Sequence, residues 1–329
     1  MRRFLSIAAA GGSVVLLFAS FLGFAANAFW FFDLFNHFRV QYLAAGILGI
    51  VVALGLRAKR LALAFATAAL VNAALVVPLF FPQPHAPESV HEISILSSNT
   101  WRRNTDWSSV VTAIQEHDPN IAYFTEMHPS FGPRFGEFEA DYHIFRRDEG
   151  VLLVRRRAGL SPEPVTVPTG VDIAGIPVSL SVEGVTVTLL AVHPAAPISA
   201  EAANTRDQQF VAIASFLEKQ KGLVIIVGDF NATPLSRAFQ ELQHRTGLRN
   251  SLAGFGIQTT WPSYPGSYFN GLIRIPIDHC LHSPALHTID RRVLPHRGSN
   301  HNPILIRLGI DVRRNRASRD DSVSQSGGP

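Results

Sequence analysis

The apolar positions of this chain fall into two regimes. Residues 4–24, 40–56 and 61–81 carry no charged side chain. Each run approaches the roughly 17–25 residues with which an apolar helix crosses a bilayer, so three transmembrane helices are expected. Beyond residue 90 the pattern changes to short apolar runs of strand length separated by helical stretches. Residues 185–192 read as a strand, and residues 223–227 have the uninterrupted β-branched character of a strand buried on both faces. Asp106 is placed to cap a helix from Trp107 to about His117, which Asp118-Pro119 ends before a strand at 121–124. A further helix is expected over 200–219, stopped by Gly222, and another begins at a Ser236 cap and ends at Gly247. This order, with many additional short strands, fits a two-sheet α/β sandwich. Periodicity alone does not separate that from a doubly wound sheet.

Charge orients the membrane part. Arg2 and Arg3 precede the first run, and Arg57, Lys59 and Arg60 separate the second from the third, whereas the first connecting loop carries only Arg39 with Asp33. The positive-inside rule puts the N-terminus and the 57–60 turn in the cytoplasm, and the large C-terminal part outside the inner membrane. Arg2-Arg3, the apolar core and Ala26-Asn27-Ala28 also fit a cleavable signal peptide, which would leave two spans and the same location for the rest. Phe29, Trp30, Phe31, Phe32, Phe35 and Phe38 suit an interfacial aromatic belt. Pro82, Pro84 and Pro87 make a short stiff connector, and the tail with Arg313, Arg314, Arg316 and Arg319 is polar enough to be disordered. The expected division is therefore 1–83 membrane region, 84–310 globular domain and 311–329 tail. A single cysteine, Cys280, excludes an intrachain disulfide and reads as a buried apolar residue.

The chemistry concentrates in residues 223–234, LVIIVGDFNATP. A buried strand delivers Asp229 and Asn231 to one spot, and Gly228 would let a ligand approach the backbone. Such a pair can hold a hard cation and orient an oxygen nucleophile, or can form an ordinary Asx-turn. Other segments follow a matching order: Ser98-Asn99-Thr100 after an apolar run, 118–126 ending in Glu126, 189–193 ending in His193, Ile277-Asp278-His279, and 298–303 containing Ser299-Asn300-His301.

Together these six motifs, over about residues 93–308, resemble the endonuclease/exonuclease/phosphatase superfamily, whose members include pancreatic-type deoxyribonucleases, apurinic endonucleases, neutral sphingomyelinases and inositol polyphosphate phosphatases. The resemblance implies a four-layer α/β/β/α sandwich, here preceded by transmembrane helices, and a cation site for Mg2+, with Mn2+ as an alternative. By the same resemblance Glu126 is the metal ligand and Asn99 supports the metal or its waters. Asp229 and Asn231 orient the attacking water, and His193 donates to phosphate. His301 is the candidate general base, with Asp278 fixing its tautomer. The family pattern has Asp where this chain has Asn300; the neutral isostere should weaken cation affinity while keeping the hydrogen-bonding geometry. A Thr-Trp-Pro element resembles bacterial membrane-anchored members, and Trp261 would line the substrate mouth or lie beneath a loop as a core aromatic. His279 is expected on the opposite sheet face, and His128, His143, His282, His287 and His296 on the surface.

The leading functional expectation is a membrane-tethered, extracytoplasmic phosphoesterase acting on a phosphorylated lipid or other phosphoester, because tethering raises its effective concentration toward membrane substrates. The alternatives are an extracellular endonuclease, for which Arg102, Arg103, Arg146, Arg147 and Arg155 to Arg157 would furnish the basic surface, and a binding protein weakened in catalysis by Asn300. Nothing in the sequence sets the oligomeric state.

Overall fold

The computed structural model describes residues 1–81, 91–264, 270–295 and 298–311. The proline connector, the C-terminal tail beyond Asp311 and His296 lie outside the described residues. The N-terminal part consists of α1 (Arg2–Leu22), the short α2 (Trp30–Asp33), α3 (Arg39–Gly55) and α4 (Lys59–Val76). Three helical segments, Arg2–Ala25, Trp30–Gly55 and Lys59–Phe80, are long and apolar enough to cross a membrane. Small residues allow α3 and α4 to approach: a Cβ on Gly46 would lie 3.0 Å from the Ala69 Cβ, and one on Gly49 would strike the Phe65 ring. Polar residues knot the bundle near one end. Arg39 reaches Ser20 O, Asn36 Oδ1 and Asn72 Oδ1, and Asn72 donates to Ser20 Oγ at 2.8 Å.

The rest is a sandwich of two six-stranded sheets. In chain order it contains β1 (His91–Asn99), α5 (Ser108–His117), β2 (Ile121–Thr125), α6 (Phe131–Arg134), β3 (Tyr142–Arg147), β4 (Gly150–Arg155), β5 (Leu160–Pro164), β6 (Gly175–Val182), β7 (Val185–Val192), α7 (Ala200–Leu217), β8 (Leu223–Asp229), α8 (Arg237–Thr246), β9 (Arg249–Asn250), α9 (Asn270–Ile273), β10 (Asp278–His282), β11 (Leu286–Val293) and β12 (Ile304–Ile310). The sheets run β11-β12-β1-β2-β4-β3 and β5-β6-β7-β8-β10-β9. Side-chain alternation builds the layers: Ile225 and Val227 of β8 pack in the core between the sheets, while Val224 and Ile226 pack with Phe210, Ile213, Phe239 and Leu242 of α7 and α8. Leu96, Ala122 and Leu153 pack on the other outer face with Val110 and Ile114 of α5. The architecture is thus the four-layer α/β/β/α sandwich, and Cys280 is buried in the inter-sheet core.

Several local expectations need correction. Gly228 (φ 147°) is required by its neighbouring strand, not by a ligand: a Cβ there would fall 2.0 Å from Val192 O. His282 is buried, with Nδ1 on Ser283 O and Nε2 on Thr288 Oγ1, and burial pushes its pKa down to about 4. His128, His143 and His287 occupy partly exposed positions. Ser236 precedes α8 as expected but does not cap it with its own side chain. Asp33, at the end of the short α2 between α1 and α3, takes that role: its carboxylate accepts from the Arg237 N–H at 2.8 Å and from Ser236 Oγ at 3.0 Å. The same carboxylate pairs with buried Arg206 of α7 at 3.3 Å.

This junction fixes how the two parts meet. His37 Nδ1 lies 3.1 Å from Thr233 Oγ1, Gln41 donates to Arg274 O at 2.8 Å, and the Gly254 N–H donates to Leu79 O at 3.2 Å. The first loop and the end of α4 therefore share the end of the bundle that carries the domain. At the opposite end Arg2 donates to Leu56 O, bringing the N-terminus beside the basic 57–60 turn.

Asp33→Ala should cost roughly 3–5 kcal/mol, because it strips a cap and leaves Arg206 buried with only Asp207. Thermal melts of the full chain in detergent would show the loss, and Asp33→Asn, which keeps an acceptor for Arg237 N–H, should lose less.

Candidate active site

Strand direction gathers the polar residues at one edge. β1 and β2 are parallel, as are β7 and β8, so their carboxyl ends emerge on the same side of each sheet. Asn99 and Asp229 end β1 and β8, and Glu126 and His193 immediately follow β2 and β7. β10 and β12 run antiparallel to them, so their amino ends arrive at the same edge: Asp278 pairs directly with Asp229, and Ile304 lies opposite Ser97. His301 enters three residues before β12.

The contacts form one continuous network. Asn99 donates from Nδ2 to Glu126 Oε1 at 2.8 Å and to Asp229 Oδ2 at 3.0 Å. His193 Nε2 lies 3.3 Å from Glu126 Oε1 and 3.7 Å from Asp229 Oδ2. His301 Nδ1 is 2.9 Å from Asp278 Oδ2, and its Nε2 faces Asp229 Oδ2 at 3.7 Å. The Asn231 N–H donates to Asp229 Oδ1, and its side-chain amide donates to Pro194 O, tying the turn to the His193 segment. Glu126 and Asn231 both adopt left-handed backbone at φ 48°, a conformation costing non-glycine residues roughly 1–2 kcal/mol. Such strain concentrates where surrounding structure must aim a side chain.

Burial and charge compete at each group. Burial works to raise the Glu126 pKa, but hydrogen bonds from His193 and Asn99 outweigh it and hold the carboxyl at about 2. Burial works to lower His301, yet the charges of Asp278 and Asp229 and the Asp278 hydrogen bond raise it to about 9. His193 is raised against its own burial by Glu126 and Asp229. Asp229 is raised, chiefly by burial and then by the Asp278 charge.

The remaining expected residues sit at the margin. The Trp261 ring centroid is 6.5 Å from that of His301, so Trp261 borders the network. Asn300 receives the Ser263 N–H on its backbone carbonyl, while its side-chain Oδ1 is buried without a hydrogen-bond partner. His279 points away into the α7/α8 side, donating from Nε2 to Ala232 O and Pro276 O. Two supports went unassigned in the sequence. Thr260 Oγ1 accepts from the Ile277 and Asp278 N–H groups, and Ser299 Oγ donates to Asn99 O at 2.7 Å, locking the last motif onto the first. Both residues stand inside segments that drew notice, but no spacing rule marks either as a brace. A cavity of about 540 Å³ lies elsewhere, between Trp30, Asp33 and the α7/α8 face, and touches none of these residues.

The fold and this edge of converging acids, amides and imidazoles define a phosphoester-hydrolase type of scaffold. A sequence model of the Endonuclease/Exonuclease/phosphatase family matches residues 96–301, and the chain belongs to that family. Among solved structures it is similar to D. rerio TDP2 complexed with single-strand DNA product (14% identity, TM-score 0.54, covering 66% of this chain and 98% of that one). It is also similar to a mannosyl-6-phosphatase of Bacteroides thetaiotaomicron (16%, 0.51, 66% and 99%) and to the human nocturnin catalytic domain with bound sulfate (15%, 0.50, 68% and 96%). At these identities the likeness is one of fold. No curated protein sequence matches the chain significantly.

The raised His301 pKa has a measurable consequence for stability. A folded-state value of about 9 against about 6.5 unfolded means that the His301 contribution is fully present below pH 6.5 and is lost as pH rises through 9. With chelator present, the melting temperature of the full chain should fall across that window, and His301→Gln should flatten the dependence.

Proposed function

We propose that this chain is a membrane-anchored, divalent-metal-dependent phosphoesterase, with residues 84–310 as its catalytic domain outside the cytoplasm and a phosphorylated lipid as its substrate. The observation that carries this reading is the buried line Asp278–His301–Asp229 facing Glu126, His193 and Asn99. One side supplies a proton-handling imidazole of fixed tautomer, and the other an anionic pocket with donors.

The donor set fits a hard cation. Glu126, His193 and Asp229 bring ligand atoms within 4.8 Å of one another, as do Asp229, Asp278 and His301. Oxygen ligands from Glu126 and Asp229 are those Mg2+ prefers, and the orphaned Asn300 Oδ1 is a neutral oxygen of the same hardness. Asn99 presents its NH2 to both carboxylates, so in this arrangement it balances their charge by donation. A bound divalent cation supplies positive charge to polarise a phosphoryl oxygen and acidify a water.

The chain's own groups supply the rest. Asp278 fixes the imidazole so that Nε2 is the nitrogen turned toward Asp229. The 3.7 Å gap to Asp229 exceeds a direct hydrogen bond, and in the neutral imidazole that nitrogen is available to take a proton from an attacking water oriented by Asp229. His193 and the Asn231 amide stand where donors to phosphate oxygens are needed. A lipid substrate is favoured by the three spans and by the direct docking of the first loop on the domain. Of the basic residues for a nucleic-acid track, Arg102, Arg147 and Arg155 pair with Glu149, Asp148 and Asp118, which leaves exposed Arg103, Arg146 and Arg157 to serve the nuclease alternative. Exposed Arg156 bonds Glu139 O and His143.

The test offers the full chain, in detergent or nanodiscs, a lipid pyrophosphate, a phosphodiester phospholipid and plasmid DNA, with Mg2+ or chelator. Chelation should abolish turnover, and His301→Ala should reduce it roughly 10²–10⁴-fold. Asn300→Asp should lower the Mg2+ concentration for half-maximal rate. Cleavage of DNA alone would assign a nuclease, no turnover of any substrate by either form would assign a binding protein, and a reporter fused after Leu308 that reads cytoplasmic would overturn the orientation.

Activity should also rise with pH, since the base form of His301 gains population toward its raised pKa. The alkaline-rising limb of kcat/KM is the readout, and it should be missing from the residual activity of His301→Ala.

A further inference from the structure

One apolar pair near the rim of the site stands largely exposed among the described residues. Leu272 and Ile273, on α9, are 69% and 51% exposed. They precede Arg274, whose backbone carbonyl accepts from Gln41 at the start of α3, the second membrane helix. Arg274 turns its guanidinium inward, donating to Pro262 O at 3.1 Å and Ser263 Oγ at 3.0 Å. Its neighbour Ile275 exchanges backbone hydrogen bonds with Trp261, which borders His301. A short chain of contacts thus runs from the outer end of a membrane helix, through the Leu272–Arg274 segment, to the edge of the candidate active site.

From this placement we infer that Leu272 and Ile273 dip into the bilayer interface beside α3, so that the rim carrying Trp261 rests on the membrane and the site takes phosphate esters carried in the bilayer. The inference rests on the phosphoesterase reading and adds to it the surface by which a lipid-borne substrate reaches the site. The bilayer is the occupant because the pair is continuous with the membrane segment. Gln41 lies two residues after Arg39, within a candidate span that begins at Trp30, and Phe29, Phe31 and Phe80 around the same end of the bundle are also exposed. Apolar side chains beside an aromatic belt gain free energy on leaving water in proportion to the area they bury. The only charge in residues 270–276 is that of Arg274, and it is turned to protein acceptors.

The experiment uses the full chain in phosphatidylcholine vesicles, with an environment-sensitive fluorophore on Leu272→Cys; native Cys280 is buried and stays unlabelled. A nitroxide-bearing lipid should quench most of the emission and aqueous iodide little of it, while a label at exposed Glu163→Cys on β5 shows the reverse. Quenching by iodide at Leu272→Cys overturns the inference. So does shielding from both quenchers that disappears on diluting the protein in lipid, which assigns the face to a second copy. This readout does not depend on turnover, so it stands or falls separately from the phosphoesterase reading. In activity, Leu272→Asp with Ile273→Asp should lower hydrolysis of a vesicle-borne lipid phosphate at least about tenfold, with p-nitrophenyl phosphate hydrolysis unchanged. Equal loss on both substrates would mark the pair as structural and also overturn the inference.

Discussion

The central constraint is a pair of buried carboxylates held side by side. Asp229 and Asp278 occupy facing positions of β8 and β10, each almost wholly removed from water. Two anions so placed repel and lose hydration, a cost no sheet bears without compensation. The compensation comes from everywhere else in the fold: His301 from the segment before β12, His193 from β7, and Asn99 from β1. Each reaches Asp229 or Asp278 only because a parallel pair, β1-β2 in one sheet and β7-β8 in the other, is flanked by antiparallel strands that return to the same edge. Thr260 and Ser299 then hold the arriving segments in place through backbone groups. The sheet order and the site electrostatics are therefore one problem with one solution.

A buried carboxylate at the other junction solves a different problem. Asp33 brings a negative charge from the membrane region onto the start of α8 and against Arg206, both remote in sequence. A carboxylate at a helix N-terminus satisfies orphan N–H groups and the helix dipole together. Because α7 and α8 form the layer that covers β8, stabilising their ends also stabilises the strand that carries Asp229. His37 extends the same junction to Thr233, four residues beyond that aspartate.

How much of this was legible in the sequence depended on range. The β8 strand declared itself because burial on both faces leaves no polar position, and the Gly247 helix end because αL geometry favours glycine. The order of six motifs gave the family and the four-layer fold. What was hidden was long-range pairing. Ser236 is a plausible cap by local rules, yet its hydroxyl is turned to Asp33, which lies 203 residues away. Gly228 looked like a place for a ligand because a missing side chain admits either a ligand or a neighbouring strand, and only the register with Val192 decides. His282 looked like a surface residue because its hydrogen-bond partners, the Ser283 carbonyl and the Thr288 hydroxyl, are brought to it by the turn into β11. Asn99 was legible as a site residue, but its donation to two carboxylates at once required both sheets.

The N-terminal helical bundle does more than hold the domain nearby. A single span followed by a stiff connector would raise local concentration and leave the domain free to rotate. Here the stretch between α1 and α3 contributes Asp33 and His37 to the domain side, while Gln41 of α3 and Leu79 after α4 add further contacts. Contacts from several separated points fix an orientation, not only a distance. With the basic N-terminus and the 57–60 turn gathered at the far end of the bundle, the polypeptide has a defined polar axis. The site edge is referred to that axis through Thr233 and Arg274, so three helices crossing a bilayer would do what one anchor cannot: they would set which face of the sandwich meets the lipid.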